Sequence, residues 1–142
     1  MIVLDTTVLS ALMRRSEQPA TIAWFDQQDV AQLWITTISV HEILYGIELR
    51  PASRRRRNLE RNFQILLEAG FGARLLPFDA DAAQSSARIA ARRYKTGSPV
   101  GLADTQIAGI AMSRGAAIAT HNVRHFSDLS VPVIDPDRRI AD

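Results

Sequence analysis

With 142 residues, 46% of them apolar and 23% charged, the chain has the make-up of one soluble globular domain spanning 1–142. The absence of cysteine excludes disulfides, zinc thiolates and a cysteine nucleophile. No run approaches the ~20 apolar residues of a membrane span, and the N-terminus has neither the basic start nor the cleavage site of a secretory signal, so a cytoplasmic location is expected.

In chain order, Ile2–Asp5 reads as a short buried strand that ends on a carboxylate. Thr6 or Thr7 is expected to cap a helix running to Arg14, and Pro19 to open a second helix, PATIAWFDQQ. The β-branched segment LWITTIS predicts a second strand. In ISVHEILYGIEL the spacing of Ile38, Leu44, Tyr45 and Leu49 predicts a helix with that apolar face. Pro51 is expected to open the next helix, with Leu59, Phe63, Leu66 and Leu67 as its stripe and Gly70 as its stop. ARLLPF reads as a third strand. DADAAQSSARIAARRYKTG reads as a helix acidic at its start and basic at its end, in keeping with the helix dipole, and stopped by Gly97. SPVGLADTQIAGIAMSRG holds a helix apolar around most of its circumference, hence central. AAIAT is a buried strand, HNVRHF a turn or short helix, and VPVI a last strand. Strands alternating with helices, without internal repeats, predict a three-layer α/β/α fold with a mainly parallel central sheet.

Sites in such sheets lie beyond the carboxyl ends of the strands. Asp5 falls at one such end, and Thr120, His121 and Asn122 fall at another. A lone Asp there is ordinarily a cap, but two further carboxylates sit in poorly solvated surroundings. Glu42 has Ile38, Ser39, Tyr45 and Gly46 one helical turn away, and Asp104 has Val100, Gly101, Ile107 and Ala108. Gathered without a counter-charge, three carboxylates would repel and be driven toward neutrality. Hard oxygen donors of this kind suit Mg²⁺ or Mn²⁺, which can activate water against a phosphodiester. Thr120 and Asn122 add oxygen groups, although Asn is also a common cap. His121 and His125 would share a face if their segment were helical, and are expected to meet solvent or phosphate.

Four stretches occur in order: VLDTTVLSALM, ISVHEILYGI, LADTQIAGIA and IATHNVRHF. Together they resemble the PIN-domain ribonucleases, in particular the VapC toxins of bacterial toxin–antitoxin pairs and their FitB-like subgroup, over nearly the whole chain. The resemblance implies a metal-dependent endoribonuclease. Asp5, Glu42 and Asp104 would hold Mg²⁺, with Mn²⁺ a plausible substitute, and Thr6 would lie near the catalytic centre. Asn122 stands where many PIN domains carry a fourth Asp, which removes one negative charge and weakens the case for a second tightly held metal. Thr7 replaces the Asn common after the Asp-Thr pair and reaches less far. Implied partners are an RNA substrate and a cognate VapB-type antitoxin. A homodimer is also implied, together with larger toxin–antitoxin assemblies held on DNA through the antitoxin.

Of the 17 basic residues only Lys95 is lysine. The run Arg54–Arg57 opposes the dipole at the start of its own helix, so it is not arranged to stabilise that helix. It reads as a solvated face, as a contact with RNA phosphates, or as a contact with an acidic part of the antitoxin. A different reading makes the chain a non-catalytic PIN-like RNA- or protein-binding module that uses this run. Phosphotransfer domains also place an Asp after their first strand. The phosphatases among them want a second Asp where Thr7 stands, and the receivers want a late Lys that Lys95, in a helix, does not supply.

Overall fold

The computed structural model describes residues 1–138. Ile2–Leu4 form β1, Leu33–Thr36 β2, Leu75–Leu76 β3, Ala117–Ala119 β4 and Val133–Ile134 β5. The five strands lie side by side in the order β3-β2-β1-β4-β5, and every pairing is parallel. β1 is therefore central, with Ile2 opposite both Leu33 and Ala117. A strand covered on both faces has no polar side to show, which accounts for the unbroken Ile-Val-Leu run.

Six helices cover the sheet: α1 (Thr6–Leu12), α2 (Pro19–Asp26), α3 (Thr37–Glu48), α4 (Arg54–Ile65), α5 (Ala80–Lys95) and α6 (Leu102–Arg114). Side chains alternate across the strands, so Val3 and Ile118 pack with α5 and α6 through Ala82, Ile89, Ile107 and Ile110. Leu4 and Ala119 point to the opposite core, with Val8, Leu9 and Leu12 of α1, Ile47 of α3 and Phe63 of α4. This is the expected α/β/α layering. None of the described helices is long and apolar enough to cross a membrane.

Several boundaries differ from the sequence expectations. Asp5 caps α1 in place of either threonine, its Oδ1 accepting from the Thr6 amide at 2.7 Å, and the helix ends at Leu12. The second strand stops at Thr36 because that hydroxyl accepts from the Ser39 amide and starts α3 at Thr37, one residue early. Pro51 does not open α4, which begins at Arg54 behind the Ser53 cap. Gly70 does not stop that helix, which continues as a π-helical stretch, Leu66–Phe71, to Gly72 at φ +56°. Of the face expected for α3, only Ile38 packs on the core. Leu44, Tyr45 and Leu49 are exposed, whereas Ile47 is buried and Val40 and Ile43 pack on the core.

The chain order places the site. It runs outward from β1 to β2 and β3, then returns across the sheet to β4 on the other side of β1. The reversal leaves a crevice between the carboxyl ends of β1 and β4, the switch point at which open α/β sheets bind ligands.

Candidate active site

Asp5 and Thr120 face each other across that crevice. Asp5 is 1% exposed, and its amide donates to the Ala119 carbonyl. Oδ2 accepts from the Thr120 hydroxyl at 2.7 Å and from the Thr7 hydroxyl at 3.3 Å. Burial pushes the Asp5 carboxyl above its ordinary value; the Thr120 hydrogen bond opposes this and the nearby charge of Asp104 adds to it. Asp5 and Asp104 therefore sense one another, although α6 begins almost 100 residues after Asp5.

Glu42 joins through Thr6. One residue serves two carboxylates: the Thr6 amide donates to Asp5, and its hydroxyl donates to Glu42 Oε1 at 2.7 Å. The Ser39 hydroxyl lies 2.8 Å from that of Thr6, and the Thr36 hydroxyl lies behind Ser39. Glu42 also lines an open groove of about 500 Å³ between α3 and the start of α6, with Ile38, His41, Tyr45, Leu102, Ala103 and Gln106. The His41 and Tyr45 rings stack in parallel along α3.

Asp104 lies in the first turn of α6, where the dipole favours a carboxylate. Its Oδ2 is 2.5 Å from His125 Nδ1. Asn122 is exposed; its amide donates to the Thr120 hydroxyl, so its backbone is one hydrogen bond removed from the Asp5 partner. The histidines do not share a face. His121 turns to the buried Thr21 (2.8 Å) near the start of α2 and to Asp137, whereas His125 turns to Asp104. The shared helix face does not form, because residues 123–125 make a 3-10 turn; His125 is solvent-exposed as expected while also bonding Asp104, and His121 is partly buried against Thr21.

Sequence reasoning missed Ser39 as a site neighbour and, for His125, missed the contact with Asp104. Ser39 stands one turn before Glu42 on α3, a spacing readable in the sequence, whereas nothing local links His125 to Asp104. Arg56, in the basic run, is held by Glu48 at 2.7 Å and Glu60 at 2.9 Å. Arg54, Arg55 and Arg57 are exposed, with no ion pair among the described residues.

The side chains that bond Asp5 among the described residues are hydroxyls, and two aspartates with hydroxyls and water suit Mg²⁺ or Mn²⁺. Among the described residues no three carboxylate or histidine groups stand close enough to enclose an ion by themselves. Asp5, Glu42 and Asp104 thus do not form a closed ligand set by themselves; Mg²⁺ held by one or two carboxylates takes the rest of its shell from water.

Comparison with known proteins gives the family and the fold. The family model described as "PIN domain" matches residues 2–131. The chain is 34% identical to a VapC ribonuclease of Sinorhizobium fredii over 136 residues, 96% of this chain and 97% of the relative. Among solved structures, FitAcB from Neisseria gonorrhoeae superposes with a TM-score of 0.88 at 28% identity, covering 96% of this chain and 98% of that one. A DNA-bound VapBC from Salmonella typhimurium superposes at 0.76 with 28% identity, covering 95% and 97%.

Proposed function

The chain belongs to the PIN-domain family, within its VapC group, and from that premise we propose that it is the toxin of a toxin–antitoxin pair, a Mg²⁺-dependent endoribonuclease that hydrolyses RNA phosphodiester bonds. The observation that carries this reading is the buried Asp5 carboxylate at the sheet's switch point, held against the charge of Asp104 and linked to Glu42 through Thr6. Repelling carboxylates placed this close call for a cation.

Asp5 and Asp104 would hold the ion. When bound, it supplies an acidified water and offsets the charge that develops on the phosphate. Glu42, at the groove wall, either completes the ion's shell or orients the attacking water and takes its proton. The Thr6 and Thr120 hydroxyls keep Glu42 and Asp5 in place, and Asn122 has a supporting role at the open end. RNA would enter along the groove. The antitoxin is proposed by analogy with the DNA-bound VapBC structure, which also supports assembly on DNA through that partner. Exposed Leu44, Tyr45 and Leu102 form an apolar stretch beside the groove that suits a second copy of the chain.

The test is calorimetric Mg²⁺ and Mn²⁺ binding to the partner-free wild type, Asp5→Asn and Asp104→Asn, with RNA cleavage alongside. Both variants should remain folded, lose the metal and cut RNA slower by about 100-fold or more. A wild type that binds neither ion at millimolar concentration would overturn the mechanism. A purely RNA-gripping module would be indifferent to both substitutions.

A further inference from the structure

Arg93 lies in the last turn of α5, and its side chain is only 4% exposed. It is the only Lys or Arg among the described residues that is buried. Burying a guanidinium is costly unless its donors are used, and here they reach three residues in two segments, α6 and the loop after β4. Nε and Nη2 fork onto the two Asp128 oxygens, each at 2.8 Å. Nη1 donates to the Thr105 hydroxyl at 3.0 Å, and Nη2 also donates to the His125 carbonyl at 2.6 Å. Two of these partners adjoin the candidate site: Thr105 follows Asp104 in α6, and His125 bonds the Asp104 carboxylate directly.

We propose that Arg93 is a positioning residue for Asp104, acting through His125. The guanidinium fixes the His125 peptide against the start of α6, and the imidazole then fixes the rotation of the Asp104 carboxylate. This deepens the assignment of Asp104 as a metal-holding group and rests on it. The fork onto Asp128 would anchor the loop after β4 by itself. The two remaining bonds go to the neighbour of Asp104 and to the histidine that touches it. Lys in place of Arg keeps the charge but loses the planar fork that reaches all three residues at once.

The experiment is a double-mutant cycle on the full chain: wild type, Arg93→Lys, His125→Ala and the pair, with Mn²⁺ binding read by calorimetry and stability by thermal melting. Each single change should weaken Mn²⁺ binding roughly tenfold or more. The pair should bind within about twofold of His125→Ala alone, since both act on one link. Losses that multiply, or an Arg93→Lys variant that melts earlier yet binds Mn²⁺ as wild type does, overturn the proposal. Should Arg93→Lys fail to fold, Asp128→Asn loosens the same guanidinium and carries the same expectation. A metal-free readout separates this inference from the function it rests on. The His125 ring ¹H–¹³C resonance should shift or broaden in Arg93→Lys while that of His41 stays put. An unmoved His125 signal overturns the proposal, whereas a wild type that binds no metal overturns only the nuclease mechanism.

Discussion

Asp5 shows how one carboxylate meets structural and functional demands together. Its Oδ1 starts α1, its Oδ2 joins β1 to β4 through Thr120, and its charge sits buried beside that of Asp104. The folded state therefore binds a proton at Asp5 more tightly than the unfolded chain does. Below the ordinary value of 3.8 both states are protonated and the ionised form costs nothing. As pH rises above that value the cost sets in, and it is complete once pH passes the raised folded value. In metal-free protein at pH 7, Asp5→Asn should thus melt higher than wild type, by roughly 2–6 °C, with the gap closing as pH falls toward 4. Melting curves across that range, with and without Mg²⁺, check this. Added Mg²⁺ should raise the wild-type midpoint and leave the variant unmoved.

At the scale of elements, α6 matters most, because it is at once a core helix and the carrier of Asp104. It can lie close against α5 only because position 109 has no side chain. A Cβ there would come within 2.7 Å of both the Ala82 carbonyl oxygen and the Ser86 Cβ. Backbone cannot yield as a flexible side chain can, so Gly109→Ala should lower unfolding free energy by about 1–3 kcal/mol. Gly46 in α3 has nothing within 4 Å of its added Cβ. Gly46→Ala should therefore stabilise, by about 0.5–1 kcal/mol, through helix propensity alone. Denaturant midpoints of the two variants should move in opposite directions. α3 is the other element that both packs and serves, with Ile47 in the core and Glu42 at the groove.

Two places in the molecule carry charges of one sign: Asp5 and Asp104 at the crevice beside β1, and exposed guanidinia at the start of α4, a helix that packs on α3. Arg56 is pinned by Glu48 and Glu60, and Arg54, Arg55 and Arg57 around it are left to solvent. An acidic centre repels RNA, and cations nearby would offset that repulsion over the length of a bound strand. Each phosphate contact with a single strand contributes about 0.7 to the salt slope of binding. Replacing Arg54, Arg55 and Arg57 by Gln in the Asp5→Asn background should therefore make the slope shallower by about 2. An unchanged slope in a salt titration would return the run to a solvated face.

The layered parallel fold was legible in the sequence because strand and helix periods are local properties: the Ile-Val-Leu run, the apolar girth of α6 and the acidic-to-basic order of α5 each report their own burial. Asp5 stood out as the carboxylate that ends the first strand, and Glu42 and Asp104 as carboxylates whose local neighbours offered little solvation. Local pattern could not choose between two apolar faces of α3, since Val40, Ile43 and Ile47 compete with Leu44, Tyr45 and Leu49 at equivalent spacings. Only packing against α1 and α4 decided it. Nor could it show that Thr6 bridges Asp5 to Glu42, or that Arg93, His125 and Asp104 form one chain of contacts. Those links join residues 20 to 40 positions apart. They exist because the chain reverses direction across the sheet and brings the ends of β1 and β4 together with the starts of α3 and α6.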